Sequence, residues 1–129
     1  MNIISDTNIF LAVALNEPEK EKIIQLTSKF NAIAPDILPY ETGNALTAMV
    51  KRKQITQEEA LSAFNIISSI PVRLVSINIQ KALQLALSYN IYAYDAYFLQ
   101  CAKHLSAPLI TLDKQMKKIA YELNIEVVE

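Results

Sequence analysis

The chain has 129 residues, enough for one compact domain and too few for two of ordinary size. Hydrophobic residues make up 52% and charged residues 19%, which excludes disorder, and a net charge of -1 excludes a strongly basic protein that holds nucleic acid by charge alone. One Cys, one His and one Gly exclude an internal disulfide, a Cys/His zinc cluster and the Gly-rich phosphate loops.

Asn2-Ile3-Ile4-Ser5 is a short β-branched run ending at an acid and predicts a first strand. Thr7 to Leu15 reads as a helix capped by Asp6 or Thr7. Its run Ile9 to Leu15 is far shorter than the roughly 20 residues that span a bilayer. The first basic residue is Lys20, so the charged start of a signal peptide is missing. The expectation is a cytoplasmic protein with no membrane contact. Pro18 fits the first turn of a second helix reaching Phe30. Ala32 to Ala34 predicts a second strand, closed by Pro35. A long helix follows to about Lys53, with Asp36 as its expected cap, and another runs from Thr56 to Ser69, where Thr56 and Glu59 form a capping box. Val72 to Val75 predicts a third strand, Asn78 to Tyr89 and Tyr94 to Leu105 two helices, Pro108 to Thr111 a fourth strand. Lys114 to Leu123 predicts a last helix and Ile125 to Val128 a fifth strand.

This alternation predicts a single α/β domain over residues 1–129, with a central five-stranded, mainly parallel sheet and helices on both faces. In such folds the functional crevice lies beyond the carboxyl ends of the strands, where the strand order switches. Asp6 follows the first strand and Asp113 the fourth. Each also suits a helix cap, and the two readings stand side by side. Glu41 shares a helix stripe with Leu38, Ala45, Ala48 and Met49, so it faces inward. Asp95 lies among Tyr94, Ala96, Phe98 and Leu99 and also faces inward. A buried carboxylate needs a partner, because desolvating an ion costs about several kcal/mol. Four acids in one crevice, with no His or Cys among them, suit Mg²⁺ or Mn²⁺. Metal-assisted phosphodiester hydrolysis is the reaction class that such a site serves.

Taken in order, Ile4-Ser5-Asp6-Thr7-Asn8, Glu41 in Pro39-Tyr40-Glu41-Thr42-Gly43-Asn44, Tyr94-Asp95-Ala96 and Thr111-Leu112-Asp113 resemble a PIN domain, and in particular the VapC toxins of toxin–antitoxin pairs. The resemblance covers essentially the whole chain. It implies a Mg²⁺- or Mn²⁺-dependent endoribonuclease with Asp6, Glu41, Asp95 and Asp113 as the catalytic and metal-binding quartet. It further implies supporting hydrogen bonds from Asn8 and Thr111, an RNA substrate, a homodimer and an antitoxin partner. The alternative is a catalytically inactive PIN-like module that binds RNA or protein.

Other features carry simpler readings. Lys51-Arg52-Lys53 matches the dipole at a helix end. Lys114, Lys117 and Lys118 suit either a solvated face or phosphate contacts. His104 reads as a surface helix residue, Cys101 as a small buried one, and Tyr92, Tyr94 and Tyr97 as packing residues. The apolar excess of Ile9 to Leu15 predicts an exposed interface patch. A signalling receiver domain needs paired acids after the first strand and an Asp after the third. Here those places hold Asp6-Thr7 and Ser76, which excludes it.

Overall fold

Successive residues of a strand point to opposite faces, so a strand with Ile at both Ile3 and Ile4 must be covered on both sides. The computed structural model, which describes residues 1–129, builds the fold around that strand. In chain order the elements are β1 (Asn2–Ser5), α1 (Thr7–Ala14), α2 (Lys20–Thr27), β2 (Asn31–Pro35), α3 (Leu38–Lys51), α4 (Gln57–Ser69), β3 (Val72–Val75), α5 (Ile79–Tyr89), α6 (Ala93–Leu105), β4 (Leu109–Ile110) and α7 (Lys114–Glu122). All strands are parallel, in the order β3-β2-β1-β4. The chain lays β2 and β3 on one side of β1 and returns to place β4 on the other. The switch point is therefore the gap between β1 and β4.

The two faces are covered unequally. Ile4, Ile33 and Leu109 belong to a cluster of 24 buried residues fed by α3 to α7. Ile3 and Ile110 belong to a cluster of only five, completed by α1 and α2. Helix α1 lies between the two: Phe10, Leu11 and Ala14 enter the large cluster, Ile9 and Ala12 the small one. Its apolar run is thus an internal layer rather than the exposed patch expected from sequence. Beside the thin side lies an apolar hollow of about 770 Å³, lined by Ile3, Ile9, Val13, Ile23, Ile24 and Phe30 among others.

The five-stranded sheet expected from sequence is corrected to four strands. Ile125 to Val128 makes one parallel bridge, Leu109 to Val127, with hydrogen bonds of 2.8 and 2.9 Å around Leu109. The reason is the neighbour. β4 is two residues long because the chain turns at Thr111 into the cap of α7, so the tail has almost no ladder to extend. Two local details also differ. The capping box at Thr56 and Glu59 is present, whereas Asp36 makes no capping bond to α3, which starts at Leu38 with Pro39 in its first turn. Pro18 lies in the turn before α2 rather than in it.

Backbone strain sits where this glycine-poor sequence needs left-handed turns. Five non-glycine residues have positive φ, among them Ser106 at 51°, which ends α6. That conformation costs an L-residue about 1–2 kcal/mol, while glycine loses about 0.5–1 kcal/mol through its freer unfolded chain. Ser106→Gly should therefore raise stability by roughly 0.5–1 kcal/mol in urea denaturation. A loss of stability would show that the turn stores no strain.

Candidate active site

The register between β1 and β4 builds the crevice. Ile4 pairs with Leu109 and Ser5 with Ile110, so the next residues, Asp6 and Thr111, stand side by side at the ends of the two strands. The Asp6 backbone N–H donates to the Ile110 carbonyl at 3.1 Å. The Thr111 hydroxyl donates to Asp6 Oδ2 at 2.9 Å and accepts from the Asp113 N–H at 3.1 Å. Asp6 Oδ1 accepts from the Thr7 N–H at 2.8 Å, and Asp6 caps α1. Asp113 caps α7 by accepting from the Met116 N–H at 3.0 Å.

The other two acids arrive on helix starts. Glu41 lies in the first turn of α3 and Asp95 in the first turn of α6. On α3 the fully buried stripe is Leu38, Thr42 and Leu46, and Glu41 lies half-buried at its edge. The Thr7 hydroxyl donates to Glu41 Oε1 and ties α1 to α3. Asp95 and Asp113 are half-buried, and Asp6 is 4% exposed.

These carboxylates act on one another. Burial raises the Asp6 carboxyl, the charges of Glu41 and Asp95 add to it, and the hydrogen bonds from Thr111 and Thr7 oppose them, leaving it at about 7. Burial also raises Glu41, with Asp95 adding to it and the Thr7 bond opposing. Asp95 is raised by burial and then by the charge of Asp113. None of the four forms a salt bridge; the only one in the molecule joins Lys117 to Glu129. Two charges at about 4 Å repel by roughly 4 kcal/mol at an effective dielectric of about 20. No three of these side chains are drawn closely enough together to enclose an ion. The donor set nevertheless fits a hard divalent cation, being all carboxylate oxygen with no protein cation to balance it.

Comparison with known proteins identifies the family. The family model of the PIN domain matches residues 3–121. The chain belongs to the PIN-domain family. It is 23% identical over 121 residues to Ribonuclease VapC3 of Pyrobaculum aerophilum, covering 90% of this chain and 92% of that one. Its fold is similar to the crystal structure of PAE2754 from Pyrobaculum aerophilum, with a TM-score of 0.68, 18% identity, and coverage of 96% of this chain and 90% of that one. It is equally similar to VapBC2 from Rickettsia felis bound to a DNA fragment from its promoter, with a TM-score of 0.68, 15% identity, and coverage of 98% and 97%.

The two residues expected to support the site, Asn8 and Thr111, are placed differently. Thr111 bonds Asp6. Asn8 is exposed on the first turn of α1 and makes no side-chain hydrogen bond, whereas its neighbour Thr7 holds Glu41. Nothing local in the sequence points to this bond, because a hydroxyl after a strand-end acid reads first as an ordinary helix start. Cys101 is buried, and burial raises its thiol to about 11. Lys117 is engaged with Glu129. Tyr92 and Tyr94 are 84% and 49% exposed rather than packed in the core.

The raised Asp6 carboxyl has a definite sign. Its contribution to stability is fully present below its ordinary value of 3.8 and is lost as pH rises through about 7. The melting temperature of the metal-stripped protein should therefore fall between pH 5 and pH 8, more steeply than in Asp6→Asn. At pH 8, millimolar Mn²⁺ should raise it by mass action. Asp95→Asn should melt higher than the parent without metal and gain less from Mn²⁺. An equal Mn²⁺ gain in that variant would remove Asp95 from the site.

Proposed function

We propose that this PIN domain is a metal-dependent endoribonuclease and the toxin of a VapBC-type pair. The observation that carries the reading is the set of four mutually repelling carboxylates at the β1–β4 switch point, with no side-chain cation among them. The ribonuclease name of a sequence relative and the VapBC fold neighbour support it.

Asp6, Glu41 and Asp95 would hold Mg²⁺ or Mn²⁺, with Asp113 as a further ligand or as a group oriented toward the same ion. A bound divalent cation supplies two things here: an activated water and neutralisation of charge on the scissile phosphodiester. The chain's own residues do the rest. Thr111 and the Thr7 N–H keep Asp6 oriented at the end of β1, and the Thr7 hydroxyl keeps Glu41 turned into the crevice. All four acids stand at helix starts, so the positive ends of α1, α3, α6 and α7 face the same region and favour a phosphate there. Exposed Tyr92 and Tyr94, beside Asp95, offer ring faces for unstacked bases.

The apolar hollow beside α1 and α2 suits an antitoxin segment, since an unfilled apolar surface of that size favours a protein partner. Helix α5 exposes Ile79, Leu83 and Leu87 on one stripe, which suits a second copy of the chain.

The direct test is cleavage of a mixed pool of single-stranded RNAs. The parent should cut with added Mg²⁺ or Mn²⁺ and not in EDTA. Asp6→Asn and Asp95→Asn should lose at least about 100-fold in rate, and Thr111→Val about 10- to 100-fold through misorientation of Asp6. Full activity in Asp95→Asn would sink the assignment, and metal binding with no cleavage of any RNA would favour the inactive binding module. Leu83→Lys with Leu87→Lys should convert a dimer to a monomer in light scattering; an unchanged mass would move the dimer contact elsewhere.

A further inference from the structure

A second polar site lies at the far end of the helix that carries Asp95. Two adjoining hollows of about 250 and 450 Å³ open between α5 and α6 and share Lys81, Gln100 and His104. The second adds Lys103. No Asp or Glu lines either one, although acids outnumber bases in the chain, 13 to 12.

Gln100 lines both hollows; the residue is 8% exposed, with the amide open to solvent and free of protein partners. Such an amide can bond a ligand in place of water. The observation that calls for a ligand is Lys81. It occupies the first turn of α5, at the positive end of that helix, where a cation is disfavoured. Lys103 and His104 already suit the negative end of α6, but the helix dipole gives no reason for Lys81 to join them. Two lysines and the chain's only histidine thus gather with no acid lining the two hollows.

We infer that this groove binds phosphates of the RNA strand whose cleavage the carboxylates serve. The inference rests on the ribonuclease reading and deepens it. Lys103 and His104 lie roughly 12–14 Å beyond Asp95 along α6, at about 1.5 Å per residue. The strand must also turn about the helix, because at about 3.6 residues per turn Lys103 and His104 lie about 80° and about 180° round from Asp95. The path takes on the order of four nucleotides at about 3.4 Å or more each. Lys81 and Lys103 provide charge, and Gln100 and His104 provide directed N–H donors to phosphate oxygens. The groove holds the strand; the crevice at the other end of the helix cuts it.

The experiment is fluorescence anisotropy of the full-length protein with a labelled 12-nucleotide single-stranded RNA, in EDTA so that the strand stays intact, over a range of salt. Lys81→Ala and Lys103→Ala should each weaken binding about 3- to 10-fold and lower the slope of log Kd against log salt by about 0.7. Lys51→Ala, on α3, should change neither. Gln100→Leu should weaken binding without lowering the melting temperature, because the amide bonds no other protein group. With Mn²⁺ restored, the lysine variants should raise KM for the 12-mer and leave kcat unchanged. A parent that neither binds nor cleaves RNA would bring down the ribonuclease reading and the groove with it. A parent that binds, with variants of equal affinity and salt slope, would overturn the groove alone. Stabilisation of the parent by a mononucleotide, without any effect of the lysines on RNA, would assign the groove to a small phosphorylated molecule and overturn the strand contact.

Discussion

The constraint on the candidate site is that four like charges are held near one another. Each sits where its neighbour helix begins, and in a parallel α/β fold those beginnings gather at the carboxyl ends of the strands. A cap and a site are therefore not competing roles for Asp6 and Asp113, because the position that suits one creates the other. The magnitudes separate them. A helix end stabilises a nearby carboxylate by about 0.3–1 kcal/mol when exposed and about 2 kcal/mol at best, whereas two like charges brought to about 4 Å repel by roughly 4 kcal/mol at an effective dielectric of about 20. Capping explains why an acid can stand at each place. It does not explain why Asp6 is almost fully buried with two more acids acting on it.

The four acids stood out in the sequence because their surroundings are simple. Asp6 and Asp113 end apolar strand runs, and Glu41 and Asp95 interrupt apolar helix stretches, so each stands out against a background that should be buried. Thr7 and Thr111 were less legible to different degrees. Thr111 lies two residues before an acid at a strand end, a spacing with a visible purpose. Thr7 acts across 34 residues of sequence, on Glu41, and no local pattern announces a contact made by the packing of α1 on α3. A threonine at a helix start has an ordinary local explanation that hides the longer-range one.

The fold was legible wherever local periodicity and burial agree. Strands β1 to β3 and all seven helices lie where the apolar pattern put them, within a residue or two at most ends. The pattern failed where burial depends on a partner's length. Ile125 to Val128 has the composition of a strand, but β4 turns away after Ile110 and leaves it a single bridge. It failed again for α1, whose all-round apolarity reflects a place between two clusters rather than an exposed surface. In both cases the residues reported how apolar the surroundings are, and the topology decided what supplied them.

A chain of net charge -1 with an acidic centre is poorly suited to attract a polyanion by its total charge. Charge has to be arranged instead. Helix dipoles aimed at the crevice bring fixed positive potential to the place where carboxylates would otherwise repel phosphate. Lysines kept free of acids, one helix length away, hold charge where it is not cancelled. Separating the two also separates their dependence on conditions. Binding along α5 and α6 weakens with salt, because exposed lysines are screened over a Debye length of about 8–10 Å. The buried carboxylates respond less to salt and more to proton and cation concentration, since Asp6 is 4% exposed and its carboxyl titrates near neutrality. Under the proposed function, grip and chemistry are lost by different routes, and α6, with Asp95 at one end and Lys103 at the other, is the rigid spacer between them.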